Sequence, residues 1–128
     1  MPAWDIIPGE GILELRLGYD KAAVRNRFGD PRTFRRTPDS PETDQFVDSG
    51  ILATYGPGEK VTFIELTHPA EPTIGGVRLL GLALSDAMEN LREHGLTVIA
   101  DPDGASIQEW QVGLYAPSGT VEGVSIGE

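Results

Sequence analysis

The two histidines are the side chains best suited to proton transfer near neutral pH, and neither lies in a pattern typical of a catalytic site. His68 stands before Pro69 in a predicted linker. His94 falls in the last turn of a predicted helix, where a positive charge stabilises the helix dipole. Glu93 is adjacent to His94, so on a helix the two side chains point apart and do not form a metal pair.

Other motifs that carry chemistry are incomplete. Asp101-Pro102-Asp103-Gly104 resembles the start of a calcium loop, but Val112 stands where the loop needs a glutamate, so we interpret it as a turn. Gly9-Glu10-Gly11 and Gly75-Gly76 have no third glycine at the spacing of a dinucleotide site. The serines form no nucleophile elbow. We therefore predict a protein that is not an enzyme and binds no metal or cofactor.

The acids between residues 39 and 48 are better candidates for binding. Residues 30–45 contain three prolines among polar residues, which predicts an exposed connection. Carboxylates on such a loop should be solvated and available to Lys or Arg of a partner. A plain solvated loop is the alternative. The predicted partner-binding residues of this segment are Asp39, Glu42, Asp44 and Asp48.

Five arginines precede these acids, with Phe28 and Phe34 interleaved, a composition that resembles a nucleic-acid patch. The overall acidity of the chain argues against that function, because affinity for phosphates depends on cationic contacts and counterion release. We expect the arginines to pair with the acids at 39–48 instead. The five are Arg25, Arg27, Arg32, Arg35 and Arg36.

The charge of the chain is large and uneven. The net charge is −10 over 128 residues. Residues 1–36 hold seven Lys and Arg against five Asp and Glu, and residues 37–128 hold three against fifteen. Such a field repels nucleic acid and anionic membranes and speeds encounter with a basic partner, although acidity also serves solubility alone. The absence of cysteine and of a signal or spanning segment favours a soluble cytoplasmic protein.

Tyr55 and Tyr115 begin two segments of the same spacing. Each tyrosine is followed by a proline two residues later, a valine six residues later and a β-branched residue after three more. Each segment reads as a hairpin with an aromatic residue before the turn. The repeat predicts a duplicated module in one domain, with halves at about 5–68 and 74–126 separated by a linker at 68–73. The tyrosines are predicted to be repeated packing anchors.

The periodicity within each half predicts a strand, a helix and then a meander. The first half has a strand over 12–17 and a helix over 21–28 capped by Asp20. The second has a helix capped by Ser85 and ended by Gly95, then a strand over 96–100. The predicted fold class is α+β, with two short helices on one face of an antiparallel sheet of six to eight strands. The other face would stay open for docking.

Several of these segments resemble known families. Pro8-Gly9-Glu10-Gly11-Ile12, Arg16-Leu17-Gly18 and Phe28-Gly29-Asp30-Pro31 are similar to a pattern in small bacterial proteins, some associated with toxin–immunity neighbourhoods. Residues 18–31 also resemble the helical entry of outer-membrane assembly lipoproteins of the SmpA/OmlA type. The tandem arrangement resembles the β-lactamase inhibitor protein, whose two repeats present a concave sheet to an enzyme. The chain lacks the cysteines of both, so the resemblance implies only a non-catalytic protein-binding sheet.

The leading hypothesis is an immunity-type inhibitor that binds a basic toxin or enzyme, with no nucleic acid or membrane partner. Aromatic side chains on the open face would supply most of the affinity, and the acidic field would supply association rate. The alternative is a small-ligand or regulatory domain that uses a cleft between the halves. Tyr55, Trp110 and Tyr115 are the predicted aromatic site residues in both cases.

Overall fold

The computed structural model describes residues 3–127. Within these residues two α-helices and thirteen mostly antiparallel strands form an α+β arrangement. In chain order they are β1 (Ala3–Asp5), β2 (Gly11–Ile12), β3 (Leu15–Arg16), α1 (Lys21–Phe28), β4 (Arg32–Phe34), β5 (Thr43–Phe46), β6 (Ile51–Tyr55), β7 (Val61–Thr67), β8 (Glu71–Ile74), β9 (Val77–Arg78), α2 (Leu84–Glu93), β10 (Ile99–Asp101), β11 (Gly104–Ile107), β12 (Val112–Tyr115) and β13 (Gly123–Gly127).

The largest sheet has eight antiparallel strands in the order β10-β11-β12-β13-β7-β6-β5-β4. Strands β4 to β7 form one meander and β10 to β13 form another. The two meanders join through their last strands, since β13 pairs with β7 in register from Gly123 opposite Thr67 to Gly127 opposite Phe63. One sheet therefore runs through both halves of the chain.

Alternation along the central strands gives the sheet two different faces. The inner face is buried and consists of Ile51, Ala53, Tyr55, Ile64, Leu66, Val112, Leu114, Val124 and Ile126. The outer face of these strands consists of residues that are all at least partly exposed except Gly123: Leu52, Thr54, Phe63, Glu65, Thr67, Gly113, Tyr115, Gly123 and Ser125. The buried side chains of both helices, Val24 of α1 and Ala87, Met88 and Leu91 of α2, belong to the same core cluster as the inner face.

The helix boundaries match the expectation for α1, but the caps differ. Asp20 occupies the N-cap of α1 without a side-chain cap, and its carboxylate accepts a hydrogen bond from Lys60 instead. The α2 helix begins at Leu84 with Ala83 at the N-cap, so the predicted Ser85 cap is wrong. Apolar packing of Ala87, Met88 and Leu91 fixes this helix without that hydrogen bond.

The segment 12–17 is not one strand. Ile12 and Leu15 are both fully buried and Leu13 is 68% exposed, so the chain reverses between them to form the short hairpin β2-β3. Residues 96–100 are also mostly outside a strand, since β10 begins at Ile99 and Val98 packs in the core. A period of two over six residues does not distinguish a strand from a tight hairpin.

The predicted linker at 68–73 is largely a buried strand. Ala70, Pro72 and Thr73 are buried, and β8 pairs in parallel with β1. The Thr73 hydroxyl donates to the Asp5 carboxylate at 2.8 Å. The three-stranded sheet β1-β8-β9 therefore departs from the antiparallel plan. None of the helices between residues 3 and 127 has the length and apolar character that a membrane span requires.

Candidate partner-binding surface

Asp44 is a fully buried carboxylate held by a cluster of donors. It lies in β5 opposite Ala53 of β6, whose small side chain leaves space beside it. Arg25 of α1 donates from Nε to Oδ2 at 2.8 Å and from Nη2 to Oδ1 at 2.9 Å. The hydroxyls of Thr33 and Tyr55 donate to the same carboxylate at 2.7 and 2.9 Å. This bidentate, charge-assisted arrangement ties α1 to three strands of the sheet.

The cluster fixes the protonation states of its members. Burial opposes the charge of Asp44, but the hydrogen bonds from Arg25, Thr33 and Tyr55 outweigh it and hold the pKa of Asp44 below its ordinary value. Burial, reinforced by the hydrogen bond to Asp44, raises the pKa of Tyr55 well above its usual range. The hydrogen bond to Asp44 raises the pKa of Arg25 further. Each group keeps the form that its partners require at neutral pH.

Lys21 forms a second ion-paired cluster beside the first. Its ammonium contacts the carboxylates of Glu42 and Glu59, the latter at 2.8 Å, and lies 5.3 Å from the centre of the Tyr55 ring. The hydrogen bonds to Glu42 and then Glu59 raise the pKa of Lys21. A cation over an aromatic ring between two carboxylates is stabilised from three sides. The α1 helix is therefore held to the sheet mainly by ion pairs on this side.

These contacts correct the prediction of a free acidic loop. Residues 30–45 include β4 and most of β5, and Asp44 is buried and hydrogen-bonded where solvent exposure was expected. Glu42 is ion-paired with Lys21. The pairing expected between the arginines and these acids is confirmed for Arg25, whereas Arg36 pairs with Glu65 on the outer face. Two of the four predicted acids therefore serve the fold.

The predicted residues do not all converge on one site. Asp39, Glu42 and Tyr55 line a cavity of about 430 Å³ that also contains Lys21. Asp48 lies in the turn after β5 and lines a different cavity with Phe28. Trp110 is half-buried in a 3₁₀ turn between β11 and β12. The Asp101–Gly104 segment forms the β10-β11 turn, as predicted.

Tyr55 and Tyr115 lie at opposite ends of the large sheet and on opposite faces. Tyr55 pairs with Val61 at the start of β7, and Tyr115 aligns through Gly123 with Thr67 at its end. Tyr55 is 4% exposed and Tyr115 is 53% exposed. The prediction of equivalent packing anchors holds for Tyr55 and is wrong for Tyr115. The three aromatic residues predicted at a cleft between the halves are not brought together either, because Tyr55 and Tyr115 lie on opposite faces and Trp110 lies between β11 and β12.

Tyr115 instead forms part of a groove on the outer face, with a volume of about 240 Å³. Leu52 and Tyr115 supply apolar surface, and Glu65 and Glu122 place carboxylates at the groove. Gly123 and Ser125 keep the β13 side of the groove shallow, because they carry little or no side chain. We name this feature the Tyr115 groove. It combines an exposed aromatic ring, an aliphatic side chain and two acids, which suits an amphipathic cationic group.

Sequence reasoning missed three of these residues, Leu52, Glu65 and Glu122. The alternation of β6 and β7 carried the signal for two of them, since Leu52 and Glu65 lie out of phase with the buried positions Ile51 and Ile64. They also lie directly opposite each other in the β6-β7 register. Glu122 precedes β13 in the second hairpin, where nothing local distinguishes it from a solvated turn residue.

Ion pairing divides the acids of the described residues into two groups. The ion-paired acids all lie between Glu10 and Glu65. No ion pair within residues 4–127 involves an acid beyond Glu65, where the only Lys or Arg residues are Arg78 and Arg92. These acids are Glu71, Asp86, Glu89, Glu93, Asp101, Asp103, Glu109 and Glu122. The C-terminal half therefore presents an unneutralised acidic surface.

No protein-family model, curated protein or solved structure matches this chain.

Proposed function

We propose that this chain is a non-catalytic, cytoplasmic protein-binding module, an immunity-type inhibitor that docks on a basic toxin or enzyme. The observation that carries the proposal is the uneven ion pairing. Eight acids between Glu71 and Glu122 make no ion pair within the described residues, whereas six of the eleven acids from Asp5 to Glu65 pair with Lys or Arg. Surface carboxylates without internal partners are free to attract and select a cationic surface.

The outer face supplies the contact area in this proposal. It contains the Tyr115 groove, and Asp101 lies in the same row of the sheet as Tyr115 and Thr67. Glu65 and Glu122 line the groove itself. Affinity would come from desolvated aromatic and aliphatic contacts around Tyr115, and the surrounding acids would mainly raise the association rate.

The proposal includes an origin by duplication. The two four-stranded meanders each follow a helix and meet through equivalent last strands, β7 and β13. Both helices would then lie on the inner face, as their shared core cluster supports. This arrangement is in keeping with the resemblance to the tandem-repeat lipoprotein and inhibitor families. It would leave the outer face as one continuous docking surface.

The test is capture from a lysate of the source organism, followed by measurement with the purified partner. We expect retention of a protein with net positive charge, and an association rate that falls steeply with added salt. Neutralising four acids of the second half should slow association. These substitutions are Glu89→Gln, Glu93→Gln, Asp101→Asn and Asp103→Asn.

A matched variant separates local charge from net charge. Glu14→Gln, Asp30→Asn, Asp39→Asn and Asp48→Asn remove the same number of charges from acids of the first half that make no ion pair within the described residues. We expect a smaller loss of association rate from this set. Equal effects of the two sets, or a partner without positive charge, would count against the proposal.

The alternative function, a small-ligand domain, has less support. Its predicted aromatic residues are separated, and the cavity of about 430 Å³ around Lys21 is lined by several charged side chains that pair with one another. Ligand sites are usually largely apolar with a few convergent polar groups. We therefore propose protein binding as the single function.

A further inference from the structure

The Tyr115 groove offers two kinds of surface side by side. Leu52 and the half-exposed ring of Tyr115 form its apolar part, and the carboxylates of Glu65 and Glu122 form its charged part. The hydroxyl of Ser118 donates to Oε2 of Glu122 at 3.0 Å, which positions that carboxylate without neutralising it. Among the described residues no Lys or Arg lines the groove, and Arg36 donates to the Glu65 carboxylate at its edge.

We infer that the Tyr115 groove receives a single arginine side chain of the partner protein. This inference rests on the proposed function and names the anchor of that interface. The aliphatic stem of the arginine lies against Leu52, the guanidinium plane stacks on the Tyr115 ring, and its N–H groups donate to Glu122 and Glu65. The net charge of −10 favours such a cation over an acidic or neutral side chain.

Two features favour arginine over lysine. The guanidinium is planar and stacks on an aromatic ring, and it loses less hydration than an ammonium when it enters a half-apolar groove. The outer face already binds one guanidinium within the molecule, since Nη2 of Arg36 donates to Oε2 of Glu65. The second acid of the groove, Glu122, has no such partner among the described residues and supplies the free charge.

The test is an NMR titration of the isotope-labelled protein with the tripeptide acetyl-Gly-Arg-Gly-amide. The control is the same peptide with citrulline, which has the shape of arginine without its charge. We expect saturable shifts in the amide signals of Thr67, Gly123 and Ser125, with a Kd on the order of 1 mM for the arginine peptide. The citrulline peptide should bind at least about fivefold more weakly.

Variants identify the groove residues. Glu122→Gln and Tyr115→Ala should each weaken binding of the arginine peptide by about fivefold, from the loss of the charge and of the cation–π contact. Glu14→Gln, between β2 and β3, removes the same charge at a residue that does not line the groove and should leave the Kd unchanged. Equal binding of both peptides, shifts confined to other regions, or an unchanged Kd for Glu122→Gln would overturn the inference.

The failure of this inference differs from that of the proposed function. A basic partner that is captured equally well by the wild-type protein and by Glu122→Gln and Tyr115→Ala leaves the protein-binding function standing and removes the arginine anchor. If no basic partner is captured but the groove binds the arginine peptide, the proposed protein-binding function fails and the arginine site remains.

Discussion

The hydroxyl of Tyr55 donates a hydrogen bond of 2.9 Å to the carboxylate of Asp44, and both side chains are buried. The bond joins neighbouring strands β5 and β6 on their inner side. Together with the contact to Arg25, it links the first helix to the sheet through one charged group. The first half of the chain therefore depends on polar contacts that local sequence patterns do not reveal.

Replacement of Asp44 should destabilise the fold strongly. In Asp44→Asn the charge that pairs with Arg25 is lost and buried donors lose a full acceptor, which should cost about 2–4 kcal/mol of unfolding free energy. Asp48→Asn, in the exposed turn after β5, should change stability by no more than about 0.5 kcal/mol. Urea denaturation of the two variants measures the difference. Similar losses in both would show that the Asp44 cluster is not structural.

The Asp44 carboxylate should also determine how the free energy of unfolding changes at acidic pH. The pKa of Asp44 is lower in the folded state, so its contribution is present above the ordinary aspartate pKa and is lost as pH falls through the folded value. Wild-type stability should therefore fall as pH drops below about 4. The fall should be shallower in Asp44→Asn, which lacks that titration. Urea midpoints that fall equally with pH in the wild type and in Asp44→Asn would contradict this assignment.

Tyr55 should determine how the free energy of unfolding changes at alkaline pH. Burial and the bond to Asp44 raise its pKa in the folded state, so the stabilisation is complete below the ordinary tyrosine pKa and is lost as pH rises above about 10. Tyr55→Phe should cost about 1–2 kcal/mol at neutral pH through the lost hydrogen bond. Its stability should then decline less steeply than that of the wild type at alkaline pH. Thermal melts across that range measure both slopes.

Gly50 is a position where the backbone requires glycine. It has a φ of +75°, and an added Cβ would overlap the carbonyl oxygen of Thr67 and approach the amide nitrogen of Ala70 at 2.7 Å. Gly50→Ala should cost about 2–4 kcal/mol through strain and displaced backbone. Gly76 has a φ of +84° and no atom within 4 Å of an added Cβ, so Gly76→Ala should cost only about 1 kcal/mol. Equal losses would show that the close approach at Gly50 has no effect.

Local sequence patterns predict the elements that depend on the spacing of neighbouring residues. The bounds of α1 and the strands on either side of Pro57 follow from spacing alone, and the structure has them. The pairing of β1 with β8 joins residues such as Asp5 and Thr73, which are 68 positions apart, so no local pattern indicates it. The prolines near 70 predicted a linker because they interrupt periodicity, but Pro72 is buried in β8.

The candidate surface was predictable only in part. The place of Tyr115 before a turn singles it out in the sequence, and it is the most exposed of the three predicted aromatic residues. The prolines near Asp44 predict a solvated loop, and the sequence does not show that this carboxylate is buried beside Arg25, 19 residues earlier on another element. The acidic excess is evident from the sequence, which has 20 Asp and Glu against 10 Lys and Arg. Only the structure separates the acids with ion pairs from those without them.

Blocking the outer face tests the central claim most directly. Ser125 lies on β13 between Glu65 and Gly113 in the register of the sheet. Ser125→Arg adds both bulk and positive charge there, and Ala22→Arg adds the same charge on the exposed side of α1. Circular dichroism melts confirm that both variants are folded before binding is compared, and Tyr115→Ala provides a second outer-face variant that adds no bulk.

The deciding quantity is the Kd of each variant for the captured basic partner, measured by calorimetry at physiological salt. The account predicts that Ser125→Arg weakens binding by at least about 100-fold, since it loses buried contacts and adds like-charge repulsion. Ala22→Arg should bind within about threefold of the wild type. A folded Ser125→Arg protein that binds as tightly as Ala22→Arg would contradict the account.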